Sequence, residues 1–373
     1  RVLDMPVPVS MNDSELKAAC LKFIGGYENV VGEELESCFE LLKDANELGS
    51  IMKFELDDTS VALIRAHYDD GTDGGTDDCP EDIKALLPGV NLILALSEKY
   101  SAICMNPPYM GSSHMDGVLK NYVLKVYPLT KYDMFAVFMD ISRNRIANNA
   151  KYGMINMQNW MFLVSYKKMR EKLLENLQID SMLHLGPNLF DELGGEVVQS
   201  TSFIITNQIP TAKSNCSYFR LVDGINCADK EQMFLSGEKK FENIKQNSFS
   251  DISDSPIVYW ISNTLRKSFS NTKLSSVIPV KKGMDTGENS SYLRLWFEPS
   301  YKKVGYYQTS ESFCQNGFKW APYNKGGKPQ RRWYGKNSKV VLWEKDGEAL
   351  RASTANLRRQ YLYLKNAITW NAL

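Results

Sequence analysis

The stretch YSAICMNPPYMG, residues 100–111, joins an apolar run to the tetrapeptide Asn106-Pro107-Pro108-Tyr109. The apolar run predicts a strand that delivers Asn106 to the carboxyl edge of a sheet, where open α/β folds place their ligands. The two prolines fix the backbone and remove two amide donors. The Asn106 side-chain oxygen and the Pro107 carbonyl are then acceptors for one amino group, and the Tyr109 ring can lie against a planar base.

This pattern suits the chemistry of an exocyclic aromatic amine. The 6-amino group of adenine, for example, is a poor nucleophile because its lone pair is delocalised into the ring. Two acceptors that hold its hydrogens favour a tetrahedral nitrogen, which can attack the methyl group of a sulfonium cofactor in line. A base in a duplex must be flipped out, and Tyr109 would supply one stacking face. An ordinary strand-ending turn is the alternative interpretation, since Asn and Pro are common in turns.

The composition is that of a soluble globular protein with room for two domains. The chain has 373 residues, of which 43% are hydrophobic and 24% are charged. No apolar run approaches the roughly 18 residues that a membrane span needs, and the first residues show no secretory pattern. We therefore predict a cytoplasmic location and no membrane partner.

Metal binding is not predicted. The seven cysteines lack CxxC spacing, so they indicate neither a disulfide framework nor a zinc site. The acidic, glycine-rich stretch HYDDGTDGGTDDCPED, residues 67–82, predicts a surface loop. A metal-binding loop is the alternative, but the order of its potential ligands does not match an EF-hand.

The order of predicted elements indicates an α/β fold. Apolar residues at helical spacing predict helices within residues 14–49 and 82–98. Strand and helix patterns then alternate across residues 100–206, which is typical of a doubly wound sheet, and the last two strands are candidates for a hairpin. From about residue 216 the segments become short and rich in aromatic residues. We predict a partial Rossmann-like sheet followed by a mixed α+β region.

The two ends of the chain differ in charge, although the formal net charge is zero. Residues 1–100 carry 8 Lys or Arg against 21 Asp or Glu, and residues 301–373 carry 14 against 4. A basic region is the expected footprint of a polyanion, with a solvated basic face as the alternative. Residues 323–339 interleave cations with aromatic rings, as DNA-contacting segments do. The predicted DNA-binding residues are Lys325, Lys328, Arg331, Arg332, Trp333 and Tyr334.

Several spaced blocks resemble one enzyme family. NPPYMG, DMFAVF, KYGMINMQNWMF and HLGPNLFDELGGEVVQSTSFIIT occur in this order, as in the adenine-specific DNA amino-methyltransferases. More narrowly, they resemble the large methyltransferase of the BREX phage-exclusion systems, the phage-growth-limitation or PglX type, from about residue 33 onward. The resemblance implies transfer of a methyl group from S-adenosylmethionine to the adenine 6-amino group of double-stranded DNA. It also implies a role in bacterial phage defence or restriction-modification, with other subunits of such a system as partners.

The resemblance assigns roles residue by residue. The tetrapeptide matches the catalytic motif of the family. Asp133 and Phe135 match the following block, which helps to line the pocket for the methionine part of the cofactor. Phe190 falls where related enzymes place an aromatic ring on the second face of the flipped base, although core packing is an alternative for it. Trp160 is a second candidate for this stacking role.

One expected segment of the family is missing. Such enzymes bind the cofactor at a Gly-rich turn that follows a first strand and precedes the catalytic motif, and residues 1–106 contain no such turn. We therefore expect an internal fragment, inactive alone, with the second part of the catalytic domain at 1–215 and the start of a target-recognition domain at 216–373. A non-catalytic DNA-binding module is the alternative from a different class. Methylation of a protein glutamine or of RNA is a third interpretation.

Overall fold

The computed structural model forms two compact units, Arg1–Asn271 and Thr272–Leu373, which we call the first and the second unit. None of the helices in the described part of the chain has the length and apolar character of a membrane span. The structure describes residues 6, 9–26, 30–73, 79–190, 198–211, 214, 216–325, 338–365 and 367.

The described residues before the first strand form helices, as the apolar spacing predicts. Asn12 caps the first helix by accepting from the Glu15 amide, and the Glu15 carboxylate accepts from the Asn12 amide in return, each at 3.0 Å. Buried Leu35, Leu86 and Ile93 join these helices in one apolar core. The helices are α1 (Asp13–Phe23), α2 (Val30–Leu42), α3 (Ala45–Leu48), α4 (Asp58–Asp73) and α5 (Glu81–Ser97).

Part of the loop predicted at residues 67–82 is helical. Helix α4 continues to Asp73, with Ile64 buried and Asp69 and Asp70 exposed. Residues 74–78 lie outside the described residues. In the described residues no group of three or more His, Cys, Asp or Glu side chains could hold a metal ion.

The next segment of the first unit builds a six-stranded sheet in the order β1-β2-β4-β3-β5-β6. Strands β1 and β2 are parallel, β3 and β5 are parallel, and β4 runs antiparallel to both β2 and β3. The carboxyl ends of β1, β2, β3 and β5 therefore meet at one edge. The elements are β1 (Tyr100–Met105), α6 (Gly117–Val126), α7 (Met134–Arg145), β2 (Ile146–Met157), α8 (Lys167–Asn176), β3 (Gln178–Gly186), β4 (Ser200–Thr206), β5 (Ser217–Arg220), α9 (Cys227–Ser236), β6 (Lys240–Phe241) and α10 (Asn263–Ser268).

This sheet confirms the predicted α/β fold, including the hairpin of β3 and β4. The domain boundary predicted between residues 215 and 216 stays a prediction, but the compact units do not divide there. Strand β5 pairs with β3 over the partners Ser181↔Ser217 to His184↔Arg220, so residues just after 216 complete the same sheet. The chain divides into its compact units between residues 271 and 272. Strand β1 occupies one end of the sheet and, among the described residues, pairs only with β2.

A buried cation joins two loops on one side of this sheet. Arg170, on α8, is 0% exposed and donates to four backbone carbonyls. The acceptors are those of Trp160, Leu163 and Asp254, each at 2.7 Å, and that of Ser255 at 3.2 Å. Burial lowers the pKa of Arg170 to about 10, against the opposing charges of Asp254 and Glu171. The guanidinium therefore stays charged at neutral pH and satisfies buried and part-buried backbone carbonyls.

The second unit is built on a small antiparallel sheet in the order β7-β9-β8, in agreement with the predicted mixed α+β region. Phe313, Trp343 and Leu350 form its buried core. Three residues of left-handed backbone, Lys345–Gly347, interrupt its last helix. The elements are α11 (Leu274–Val277), α12 (Asn289–Tyr292), β7 (Leu293–Leu295), α13 (Ser310–Gln315), β8 (Trp320–Tyr323), β9 (Lys339–Leu342) and α14 (Glu344–Arg351).

Candidate active site

The tetrapeptide follows β1 directly, at the edge where four parallel strands end. Asn106 and Pro108 are exposed, Pro107 is buried and Tyr109 is half-buried. The Asn106 side chain makes no hydrogen bond to another described residue, so its amide oxygen is available to a ligand. The buried Pro107 anchors the turn that presents this oxygen.

Tyr109 is held from two directions. Its ring meets the Phe135 ring edge-on, with centroids 6.4 Å apart and planes at 86°. Its hydroxyl lies 3.5 Å from the Ile155 carbonyl of β2. Burial raises the pKa of Tyr109, with the Ser200 hydroxyl acting in the opposite direction. The phenol therefore stays neutral, and the partly exposed ring keeps a fixed orientation beside Asn106.

Asp133 ties the segment after the tetrapeptide to α7. Its Oδ1 accepts from the Phe135 amide at 3.3 Å, as the cap of α7, and from the Met110 amide at 3.1 Å. The Met134 amide donates to the Met110 carbonyl at 3.0 Å, which adds a backbone link between the same segments. The cap of α7 and the segment that follows the tetrapeptide thus share one carboxylate.

Replacing Asp133 tests this structural role. Burial raises the pKa of its carboxyl, against the lowering effect of the Phe135 and Met110 amides. A raised folded pKa means that the native state binds more protons, so stability falls as pH rises from the unfolded pKa through the folded one. Asp133→Ala should lower the free energy of unfolding by about 1–2 kcal/mol at pH 7. Asp133→Asn keeps the Oδ1 acceptor without the buried charge and should match or exceed the wild type.

Urea unfolding of the three proteins at pH 7 measures this difference. If the Asn and Ala variants lose the same stability, the carboxyl does not act as a cap through Oδ1. The stability of the wild type should also rise relative to that of Asp133→Asn as the pH falls towards 4, because protonation removes the cost of the buried charge.

The cofactor residues predicted from the resemblance lie in different environments. Phe135 is 1% exposed and packs between Tyr109 and Tyr166, the latter at a centroid distance of 5.8 Å. Its ring therefore supports the tetrapeptide from the core. Asp133 is half-buried, and because Oδ1 accepts both amide bonds, Oδ2 is left to a further donor.

The two candidates for the second stacking ring also differ. Trp160 is 0% exposed, its Nε1 donates to Asn156 Oδ1 at 3.1 Å, and its ring packs on Phe203 at 5.3 Å. A base could not reach this ring without opening the core, so we assign Trp160 to packing. Phe190 is half-buried and follows β3 at the same edge as the tetrapeptide. The adjoining residues 191–197 lie outside the described residues.

The sequence patterns did not identify an aromatic cluster at the end of β3. The rings of Phe162, His184 and Trp260 lie within 5.7–5.9 Å of one another, and the Arg220 guanidinium lies over Trp260 at 5.6 Å. His184 Nε2 is 2.7 Å from Gln158 Oε1. Burial, and then the Arg220 charge, lower the pKa of His184 to about 4, so the imidazole is neutral at pH 7. The HLG block could have indicated His184, but not its distant neighbours.

Only one of the six predicted DNA-binding residues lies among the residues that the structure describes. Lys325 follows β8 and is half-buried. The whole second unit, residues 272–373, carries 18 Lys or Arg against 7 Asp or Glu, so the basic excess of residues 301–373 extends to the unit as a whole. The other predicted contacts lie outside the described residues: Lys328, Arg331, Arg332, Trp333 and Tyr334.

Comparison with models of known protein families indicates the class of protein to which the chain is similar. Residues 35–190 match the family model of the Eco57I restriction-modification methylase. This segment contains the tetrapeptide, Asp133 and Phe190.

Comparison with individual proteins indicates a narrower family within this class. The chain is 34% identical over 348 residues to the adenine-specific methyltransferase PglX of Lacticaseibacillus casei (strain Zhang), covering 88% of this chain and 28% of that protein. It is also 34% identical over 336 residues to the adenine-specific methyltransferase BrxX of Escherichia coli O9:H4 (strain HS), covering 89% and 27%. The predicted resemblance is confirmed: the chain is related to the PglX and BrxX methyltransferases. It spans little more than a quarter of their length.

Among solved structures, the DNA-bound Type ISP restriction-modification enzyme LlaBIII aligns with 65% of this chain and 22% of its own. The sequence identity is 13% and the TM-score is 0.33.

Proposed function

We propose that the protein is a site-specific DNA adenine methyltransferase of bacterial phage defence or restriction-modification. It would transfer a methyl group from S-adenosylmethionine to the adenine 6-amino group. The observation that carries this proposal is the free amide oxygen of Asn106 at the carboxyl edge of the sheet, beside a half-buried tyrosine ring. Identity to adenine-specific methyltransferases over most of the chain supports the choice of adenine.

Asn106 and Pro107 would act on the target amine through hydrogen bonds. The Asn106 side-chain oxygen and the Pro107 carbonyl each accept one amino hydrogen, which favours a tetrahedral nitrogen with a localised lone pair. Tyr109 stacks on one face of the base, and its position depends on Phe135. Phe190 is the proposed contact on the second face. A preorganised pair of acceptors needs no reorientation when positive charge develops on the nitrogen.

The cofactor proposal rests on Asp133. Its half-buried carboxylate has Oδ2 available for a cationic donor, and the ammonium group of a methionine moiety fits this chemistry. Gly111 lies close to this oxygen and has no side chain, and a Cβ atom built on it would come within 3.8 Å of Oδ2. When bound, S-adenosylmethionine supplies the electrophilic methyl group. The tetrapeptide and Asp133 would orient the two reactants towards each other.

The direct test uses the full-length gene product with duplex DNA and S-adenosylmethionine tritiated in its methyl group. We expect label in N6-methyldeoxyadenosine after digestion of the DNA to nucleosides. Label confined to cytosine, to RNA or to protein would overturn the proposed substrate.

We further propose that the second unit takes part in target recognition by binding the DNA backbone. Its 18 Lys or Arg against 7 Asp or Glu favour a polyanion, and this excess would also suit a DNA-binding module without catalysis. Methyl transfer by the full-length product is expected of a methyltransferase and not of a DNA-binding module without catalysis. Methylation of a protein or RNA has less support, because the named relatives are adenine-specific methyltransferases.

DNA binding by the 373-residue chain should be strongly salt-dependent. Each phosphate contact lowers the slope of log affinity against log salt concentration by about 0.9. Neutralising the exposed Lys302 and Lys303 of the second unit, as Lys302→Gln with Lys303→Gln, should weaken duplex binding and flatten this slope by up to about 2. Fluorescence anisotropy with a labelled duplex at several salt concentrations measures both effects.

The matched control places the same two changes in the acidic first unit, at the exposed Lys17 and Lys53. This variant should bind as the wild type does. Equal weakening by both pairs of substitutions would argue against a specific role of the second unit.

A further inference from the structure

The second unit contains a cavity of about 520 Å³ that the proposed methyl transfer does not use. It lies beside β8, and all of its lining residues fall within the second unit. Its volume is in the range of small-molecule sites in proteins, which is roughly 300–1,000 Å³. The lining includes residues 283–284, 305, 307–309, 321–324, 341, 343 and 363–365.

The inner wall of this cavity is aromatic and fixed by packing. Trp343 is 4% exposed and meets the Tyr363 ring edge-on at 5.3 Å, with planes at 72°. The Tyr323 hydroxyl donates to the Met284 carbonyl at 3.3 Å, which orients the third ring. The half-buried rings of Tyr323 and Tyr363 thus present a preformed surface for a planar ligand, and the buried Trp343 supports Tyr363 from behind.

Tyr307, which lines this cavity, has a fully exposed side chain and an unfavourable backbone conformation. Its side chain has a relative exposure of 104%, and its φ is 57°, in the left-handed region. Leu364, which also lines the cavity, has a φ of 56°. Bulky residues rarely adopt this conformation, and such strain concentrates at ligand sites. A fully exposed Tyr ring gains no packing in the free protein, so it is available to stack on a ligand.

Polar groups complete the cavity. The Gln308 side-chain nitrogen donates to the Tyr306 carbonyl at 3.0 Å, which leaves its Oε1 as an acceptor. The Asn324 side chain makes no hydrogen bond to another described residue and offers both a donor and an acceptor. Lys365 adds an exposed cation to the lining. Aromatic planes, amide groups and one cation together match a ring with a hydrogen-bonding edge and an attached phosphate.

We propose that this cavity binds a single nucleobase together with its phosphate, as a second nucleotide site apart from the tetrapeptide. The excess of basic residues in the second unit would attract such an anion. The nucleotide could be a free mononucleotide or an unpaired base within a DNA strand, since both have the same chemistry. This proposal does not depend on methyl transfer.

The test uses 2-aminopurine, a fluorescent base whose emission is quenched on stacking against aromatic rings. The 373-residue chain is titrated into 2-aminopurine deoxynucleoside monophosphate, and separately into a single-stranded oligothymidylate with one internal 2-aminopurine. We expect saturable quenching of at least one probe. Quenching of the monophosphate identifies a free nucleotide as sufficient, whereas quenching of the oligonucleotide alone identifies a base within a strand.

Tyr307→Ala should weaken the quenched complex about tenfold, because one stacking face is lost. Tyr301→Ala is the matched control: Tyr301 is also an exposed tyrosine of the second unit, at 73%, but it does not line the cavity. Asn324→Leu should also weaken binding, because it removes the side-chain amide. Asn324 is exposed and leucine has a similar size, so the substitution should not disturb the fold. Absence of quenching with both probes, or equal weakening by Tyr307→Ala and Tyr301→Ala, would overturn the proposal. Neither result would bear on methyl transfer, which this assay does not measure.

Discussion

Asn106→Ala in the full-length gene product should lower methyl transfer to adenine by a factor of about 10²–10³. The substitution removes one of two acceptors that would hold the amino group in the reactive geometry. Because Asn106 is exposed and bonds to no other described residue, the fold should be unaffected. Tritium incorporation into N6-methyldeoxyadenosine measures the loss, and the melting temperature checks the fold.

Asn148→Ala provides the matched control for this experiment. Asn148 is an exposed asparagine near the start of β2, so it lies at the amino edge of the same sheet, opposite the tetrapeptide. Its replacement should leave methyl transfer unchanged. If Asn106→Ala labels adenine as fast as the wild type, the catalytic assignment of the tetrapeptide is wrong.

Arg170→Met should lower the free energy of unfolding by more than about 3 kcal/mol, the largest stability effect we expect in the first unit. Methionine can fill much of the space but donates no hydrogen bond. The carbonyls of Trp160, Asp254 and Ser255 would then lose the donor that they have in the structure, and each such loss costs about 1–3 kcal/mol if no water replaces it. The Leu163 carbonyl would keep the Tyr166 amide as a donor at 3.1 Å. Urea unfolding followed by far-ultraviolet circular dichroism measures the change.

Lys168→Met on the same helix separates loss of the buried network from loss of a charge. Lys168 is exposed, and its replacement should change stability by no more than about 0.5 kcal/mol. Comparable destabilisation by the two variants would mean that the carbonyl network of Arg170 contributes little.

Local patterns predicted the parts of the fold that depend on nearby residues. The strand before Asn106 and the helices of residues 14–49 follow from apolar spacing and occur where expected. Residues 117–148 also have a helical pattern but form two helices, because Pro128 follows the end of α6 and Asp133 caps α7, and residues 146–148 already belong to β2. Proline and a capping residue are readable signals, so this break could have been predicted.

Pairing between distant segments could not be read in the same way. Strand β5 has four residues, and only its bonds to β3 show that the sheet continues past residue 216. Trp160 is buried because Phe203 of β4 packs on its ring and Asn156 accepts its indole N–H. His184 and Trp260 are neighbours in space but far apart in the chain. Such contacts follow from the global fold, which no local periodicity encodes.

The position of β1 at the end of the sheet affects the conformational freedom of the backbone that positions Asn106. In the described part of the chain, β2, β4 and β3 are paired on both sides, whereas β1 is bonded on one side only. Amide protons on its outer side should exchange with solvent faster than those of β2, because no ladder bond must open first. The backbone that carries Asn106 therefore retains conformational entropy that binding of the proposed target base would remove. Any ligand or chain segment that bonds to the outer side of β1 would remove part of this entropy in advance and so tighten binding of the base.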